Sequence, residues 1–135
     1  MRTRAVARSA RVAPMDALLA SRAATFDRLL FAWNDGDPEV VRDLITADYR
    51  GHMLYLPNGE RSAVEYPQWI RNYRLAFPGA TFRVVDQSTS GDRLWTRLEA
   101  TRPDNHAGGT AHGMNVSRFD GDLIAEEWAI WSPWL

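Results

Sequence analysis

Two short stretches hold the side chains best placed to do chemistry: LIAEEWAIW, residues 123–131, and LWTRLEATR, residues 94–102. Side chains alternate across a strand. One face of the first stretch therefore carries Leu123, Ala125, Glu127, Ala129 and Trp131, and the other Ile124, Glu126, Trp128 and Ile130. Each face has one charge among apolar groups, which predicts a strand covered on both sides. Glu127 would then be a carboxyl among apolar neighbours. Burial favours the neutral form of a carboxyl, and a carboxyl poised near neutrality passes protons, worth roughly 10²- to 10⁴-fold in rate. The alternative role is an ion pair with an arginine of a neighbouring strand. In the second stretch, Leu94, Thr96, Leu98 and Ala100 share one face and Trp95, Arg97, Glu99 and Thr101 the other. Arg97 and Glu99, bracketed by Trp95, would be a pocket feature on an enclosed face and routine on a solvated one.

Composition narrows the chemistry. The 135 residues contain no cysteine, so there is no disulfide, thiolate nucleophile or thiolate metal site. All 16 basic residues are arginine, which removes lysine imines. His52, His106 and His112 stand at no metal-binding spacing, so no metal is expected. A formal charge of −1 argues against nucleic acid as a partner, and no apolar run approaches a membrane span. Arg2, Arg4, Arg8 and Arg11 precede the first acid, Asp16, without the apolar stretch of a secretory signal. Residues 1–15 are accordingly expected to be a flexible Arg-rich tail on a single domain, 16–135, working in the cytoplasm. That domain holds 12 arginines against 17 acids, a net charge of −5.

Hydrophobic periodicity supplies the elements that must position these groups. Phe26, Leu29, Leu30 and Trp33 form one face of a helix over 16–34. Asn34-Asp35-Gly36 ends it, and Asp37-Pro38 restarts a short helix whose buried side is Val40, Val41, Leu44 and Ile45. Residues 48–56 read as extended before the turn Pro57-Asn58-Gly59. A third helix starts near Tyr66 with Pro67 in its first turn and turns Trp69, Ile70, Tyr73 and Phe77 to one side. The period then becomes two, over 80–87, 92–102, 110–119 and 123–131, an antiparallel meander. Helices segregated from such a sheet make the domain α+β.

Three segments resemble SnoaL-like proteins of the NTF2-like superfamily. FAWNDGDPEVVRDLITADY, 31–49, is similar to their opening helix, turn and second helix. IRNYRLAFPGATFRVVD, 70–86, is similar to the third helix and first meander strand, and SRFDGDLIAEEWAIWS, 117–132, to the closing hairpin. The resemblance spans roughly residues 26–135. It implies a cone, a curved and mainly antiparallel sheet closed by three N-terminal helices around an apolar pocket, usually dimeric through the sheet. Trp128 and Ile130 would then face a second copy, and Glu127 and Trp131 the pocket.

The family includes polyketide cyclases, ketosteroid isomerase, limonene-type epoxide hydrolases and non-catalytic binding proteins, and its enzymes usually need no cofactor. His52 falls where many members have a pocket His or Asn. Arg97-Leu98-Glu99 falls on the Arg-x-Asp of the limonene-type hydrolases, with Glu for Asp. The aspartate used by SnoaL cyclases and those hydrolases falls on Ala129, leaving Glu127, two residues earlier on the same face, as its substitute. Glu127, Glu99 and His52 are thus the candidate catalytic residues, and Arg97, Asn115, Trp95, Trp131, Trp69 and Tyr73 the candidate substrate contacts. Gly113, on the face of Asn115, would leave room for a ligand. His112 falls on the opposite face from Asn115, and His106 in an exposed loop. Tyr49, Tyr55, Tyr66 and Tyr73 could each donate to a ligand oxygen, but packing in the core or at the rim fits each of them better.

Three functions stay open. One is a cofactor-free acid/base enzyme acting on a hydrophobic carbonyl compound, a cyclase or isomerase. The second is an epoxide hydrolase or epoxide-opening cyclase. The third is a dimeric binding protein without turnover.

Overall fold

The computed structural model describes the backbone of residues 2–135 and the side chains of residues 15–135. The tail expected over residues 1–15 therefore lies almost wholly outside the described side chains. Helix α1 is Arg2–Asn34, and it buries Phe26, Leu29 and Ala32 against the sheet. Its C-terminal end is tied down twice. Arg74 donates to the carbonyls of Ala32, Trp33 and Gly36, satisfying acceptors that a helix end leaves without intrahelical partners. The Asn34 amide donates to the Phe82 carbonyl at 3.0 Å and accepts from its N–H at 2.7 Å.

Asp37 caps the next turn as expected, accepting from the Glu39 N–H at 2.9 Å. The helix that follows is a 3-10 helix of six residues, Pro38–Asp43, because the chain passes straight into strand β1, Ile45–Met53. A three-residue strand that periodicity does not disclose, β2 (Glu60–Ser62), pairs antiparallel with β1. Helix α2, Tyr66–Ala76, begins where the sequence places it, with Pro67 in the first turn. Ser62 and Glu65 bond to each other in the turn before the helix. Gly79, at φ +76°, makes the turn into the meander.

The meander itself is β3 (Thr81–Ser90), β4 (Arg93–Thr101), β5 (Thr110–Asp120) and β6 (Leu123–Trp131). The six strands form one sheet in the order β2-β1-β6-β5-β4-β3, antiparallel except where β1 runs parallel to β6. Register shifts interrupt the β1–β6, β3–β4 and β5–β6 pairs. Such bulges bend strands and increase twist, and the sheet curves around a core of Phe26, Leu29, Val41, Leu44, Ile70, Leu94, Leu98, Phe119 and Ile124. This is the α+β, NTF2-like cone expected from the sequence, with three helices ahead of the meander. Among the described residues no helix is long and apolar enough to cross a membrane.

One bulge corrects the face assignment of β6. Arg118 pairs with Glu126 and Phe119 with Ile124, so Ala125 is the extra residue. The alternation changes phase there. Ile124 turns into the core, fully buried, and Leu123 is exposed.

Candidate active site

Helices α1 and α2, the loop after β1, the residues after β6 and the concave face of the sheet line a cavity of about 510 Å³ that is open on one side. That is the size of a site for a drug-sized molecule. One wall is a run of aromatic rings, with centroids 5.6 Å apart from Trp134 to Phe77, 5.0 Å to Tyr73, 5.1 Å to Phe82 and 5.3 Å to Trp131. Two of the three tryptophans in the last eight residues are therefore cavity wall.

The polar groups converge around Glu127, which is 1% exposed. Its Oε1 accepts from the Tyr49 hydroxyl at 2.8 Å and the Tyr66 hydroxyl at 3.1 Å. Its Oε2 accepts from Asn115 Nδ2 at 3.0 Å and Ser117 Oγ at 3.3 Å. Arg61 Nη2 lies 3.5 Å from Oε1. The same guanidinium donates to the Tyr49 oxygen from Nε (3.2 Å) and Nη2 (3.0 Å), and Trp33 Nε1 donates to the Tyr66 oxygen at 3.1 Å. Burying an ionic pair is costly unless the remaining lone pairs and protons find partners, and here the phenols, amide and hydroxyl provide them. Burial, together with the Glu127 charge, raises both Tyr49 and Tyr66 above the ordinary tyrosine range, so both remain donors. Burial alone would lower Arg61, but the tyrosine oxygens and Glu127 outweigh it and hold the guanidinium charged.

Backbone spacing makes this cluster possible. Gly51 on β1 faces it, and a Cβ there would stand 2.6 Å from the Tyr49 hydroxyl and 2.9 Å from Arg61 Nε. Asn115 and Ser117, two residues apart on β5, share a face, and Ser117 pairs with Glu127 across to β6.

The profile of the SnoaL-like domain matches residues 26–127. The chain belongs to the SnoaL-like family. Solved structures of similar shape include a loop-truncation variant of IdmH, 26% identical, with a TM-score of 0.72 over 82% of this chain and 92% of that one. Wild-type IdmH from Streptomyces antibioticus, proposed to be a polyketide cyclase, is 24% identical with the same TM-score, over 82% and 91%. An isomerase of the SnoaL-like family, so proposed, from Agrobacterium tumefaciens is 18% identical with a TM-score of 0.71, over 84% and 99%. No curated protein matches the sequence.

Within this SnoaL-like cavity stand Glu127, Asn115, Trp131, Trp69 and Tyr73 from the sequence-derived set, and Ala129 lines it too. Glu99, Arg97, Trp95 and His52 do not; they lie on the convex face, which corrects their assignment. The inward residues of β4 are Leu94, Thr96, Leu98 and Ala100, all buried, because the helices cover that face. Outside, Arg97 pairs with Asp86 at 2.8 Å and Glu99 with Arg83 at 3.1 Å, and Trp95 is 43% exposed. His52 alternates with the inward Tyr49, Gly51 and Met53. It meets Glu126 at 2.7 Å, lies 3.4 Å from Glu60 and stacks on Trp128. Gly113 holds no ligand space, since its missing Cβ would fall 2.5 Å from the Trp131 ring that lies against it.

Arg61 and Ser117 are site residues that sequence reasoning missed, and Tyr49 and Tyr66 are site residues that it assigned to packing. The tyrosines match packing as well as chemistry, and Arg61 sits on a strand too short for any period. The one available sign was Gly51 in the extended segment, a place where something approaches closely.

Proposed function

We propose that this SnoaL-like protein is a cofactor-independent acid/base enzyme acting on a hydrophobic, carbonyl-bearing small molecule, of the cyclase or isomerase type. The observation that carries the reading is a single buried carboxylate, ringed by donors, on the floor of an aromatic-walled cavity. Fold alone does not supply a reaction; the site suggests one. With Tyr49, Tyr66, Asn115 and Ser117 all donating to it, Glu127 has its lone pairs taken in the free protein. Rotation of the Tyr66 hydroxyl from Oε1 to a substrate carbonyl oxygen would do two things at once. It frees Oε1 to take a proton from the carbon next to that carbonyl, and it places a donor on the enolate oxygen. Donors fixed in a dry site stabilise such charge well.

The same saturation also favours a second reading, a binding protein in which Glu127 only holds its neighbours in place. Incubation with hydrophobic 1,3-diketones that can cyclise, followed by mass spectrometry, separates the two. The enzyme reading expects product from the wild type, and its loss in Glu127→Gln and in Tyr66→Phe with ligand affinity kept. Ligand recovered unchanged from the wild type would favour the binding protein. The epoxide-hydrolase alternative loses its support, because Arg97 and Glu99 point away from the cavity.

A homodimer through the convex sheet face belongs to the proposal. Trp95, Met114 and Ile130 are 43, 44 and 52% exposed there, and a cross-strand row aligns His52, Trp128, Val116 and Trp95. Light scattering should give twice the chain mass, falling to one in Ile130→Arg.

A further inference from the structure

We infer that Arg61 is the group that takes the ligand's oxygen, with the Met53 sulfur holding that position in the free protein. The inference rests on reading the cavity as a site for a carbonyl compound. Arg61 is 4% exposed and lines the cavity. Its guanidinium carbon stands 3.9 Å from the Tyr66 ring centroid and 5.6 Å from those of Trp33 and Trp69, so aromatic faces fix its plane. An arginine presents five N–H groups. Those on Nε and Nη2 are aimed at Tyr49 and Glu127. Among the described residues Nη1 has one acceptor, Met53 Sδ at 3.4 Å.

This is an unbalanced match. A charged donor is among the strongest in a protein and a thioether sulfur among the weakest acceptors. Met53 also lines the cavity, and its side chain is flexible enough to give way. An oxygen arriving at Nη1 therefore replaces a poor partner with a good one. The charge balance fits a carbonyl that becomes an enolate. When Glu127 takes the proton, the C–H bond breaks, an O–H bond forms on the carboxyl, and the electron pair moves to the carbonyl oxygen. The buried cation is balanced before the step by Glu127 and after it by the enolate, so the interior never holds an unpaired charge. In this step Nη1 holds that oxygen in the place the Met53 sulfur vacates.

The test uses fluorenone and fluorene, two flat tricyclic molecules that differ at one carbon, a ketone against a methylene, with binding read from quenching of tryptophan fluorescence. Fluorenone has no enolisable hydrogen, so binding is measured apart from turnover. The wild type should prefer fluorenone on the order of ten- to a hundredfold, as for a hydrogen bond to a charged group. Met53→Leu should raise the ratio of fluorenone to fluorene affinity above that of the wild type. Arg61→Met alone leaves a buried carboxylate unpaired, so the double variant Arg61→Met/Glu127→Gln is used, and it should lose the preference. Equal affinities in the wild type, a preference that survives in the double variant, or no response to Met53→Leu overturns the inference. If neither molecule binds, the cavity reading falls with it. If the preference is present but no enolisable ketone is ever turned over, the inference about Arg61 stands and the enzyme reading falls.

Discussion

Glu127 Oε1 and Arg61 Nη2 face each other at 3.5 Å in the interior, with side chains only 2% and 3% exposed. Among the described residues each is the other's only buried counter-charge at that distance. Removing one partner of such a pair costs about 3–5 kcal/mol, whereas removing both leaves no charge stranded. Glu127→Gln and Arg61→Met should therefore each lower stability by about that much, and the double variant by clearly less than their sum. Urea unfolding of the four proteins measures this coupling. Additive losses would mean that the two side chains do not depend on each other.

Gly113 sets where Trp131 lies. A Cβ at this position would meet the indole at 2.5 Å. Gly113→Ala should push the ring toward Phe82 and into the cavity, at a stability cost of about 1–3 kcal/mol as for other overpacked sites. A panel of ligands of increasing size should show the largest ones lost first. An unchanged size limit would place the boundary elsewhere.

The convex face offers a control. Arg97→Ala and Glu99→Gln break solvent-exposed pairs, which contribute little. Both variants should bind ligand and turn it over as the wild type does. A large loss in either would return the limonene-type reading to consideration.

All four tyrosines are raised above the ordinary range, burial being the main cause in each. A group whose proton is held more tightly in the folded state stabilises the fold below its unfolded pKa, about 10 for tyrosine, and that stability is lost as pH rises above it. Absorbance at the tyrosinate band should thus show Tyr49 and Tyr66 un-ionised in the folded protein well past this pH, then ionising together with unfolding. Four tyrosinates appearing near the ordinary value in the folded protein would contradict the buried cluster.

Much of the fold was legible, because the period of hydrophobic residues reports directly on helix and strand. The four meander strands and the start of α2 at Tyr66 follow from it. Alternation also grouped Glu127 with Ala129 and Trp131 on the cavity side. It could not say which face of β4 turns inward, since period two separates faces without naming them. The charged face of Trp95, Arg97 and Glu99 looked like chemistry, but the helices cover the apolar one. Ile124 departs from alternation because the bulge at Ala125 shifts the phase, and no residue type marks a bulge there. Arg61 was invisible for a simpler reason: three residues of strand carry no pattern, and the partner that gives it meaning, Glu127, lies 66 positions away.

In the proposed reaction Glu127 moves a proton at the carbon beside a bound carbonyl. Deuterium incorporation from heavy water into that carbon, followed by NMR for enolisable hydrophobic ketones that bind, tests it most directly. Incorporation well above the buffer rate is expected with the wild type, and none above it with Glu127→Gln in protein that still binds the ketone. Incorporation at the buffer rate with both proteins, or an equal rate above it with both, would contradict that role.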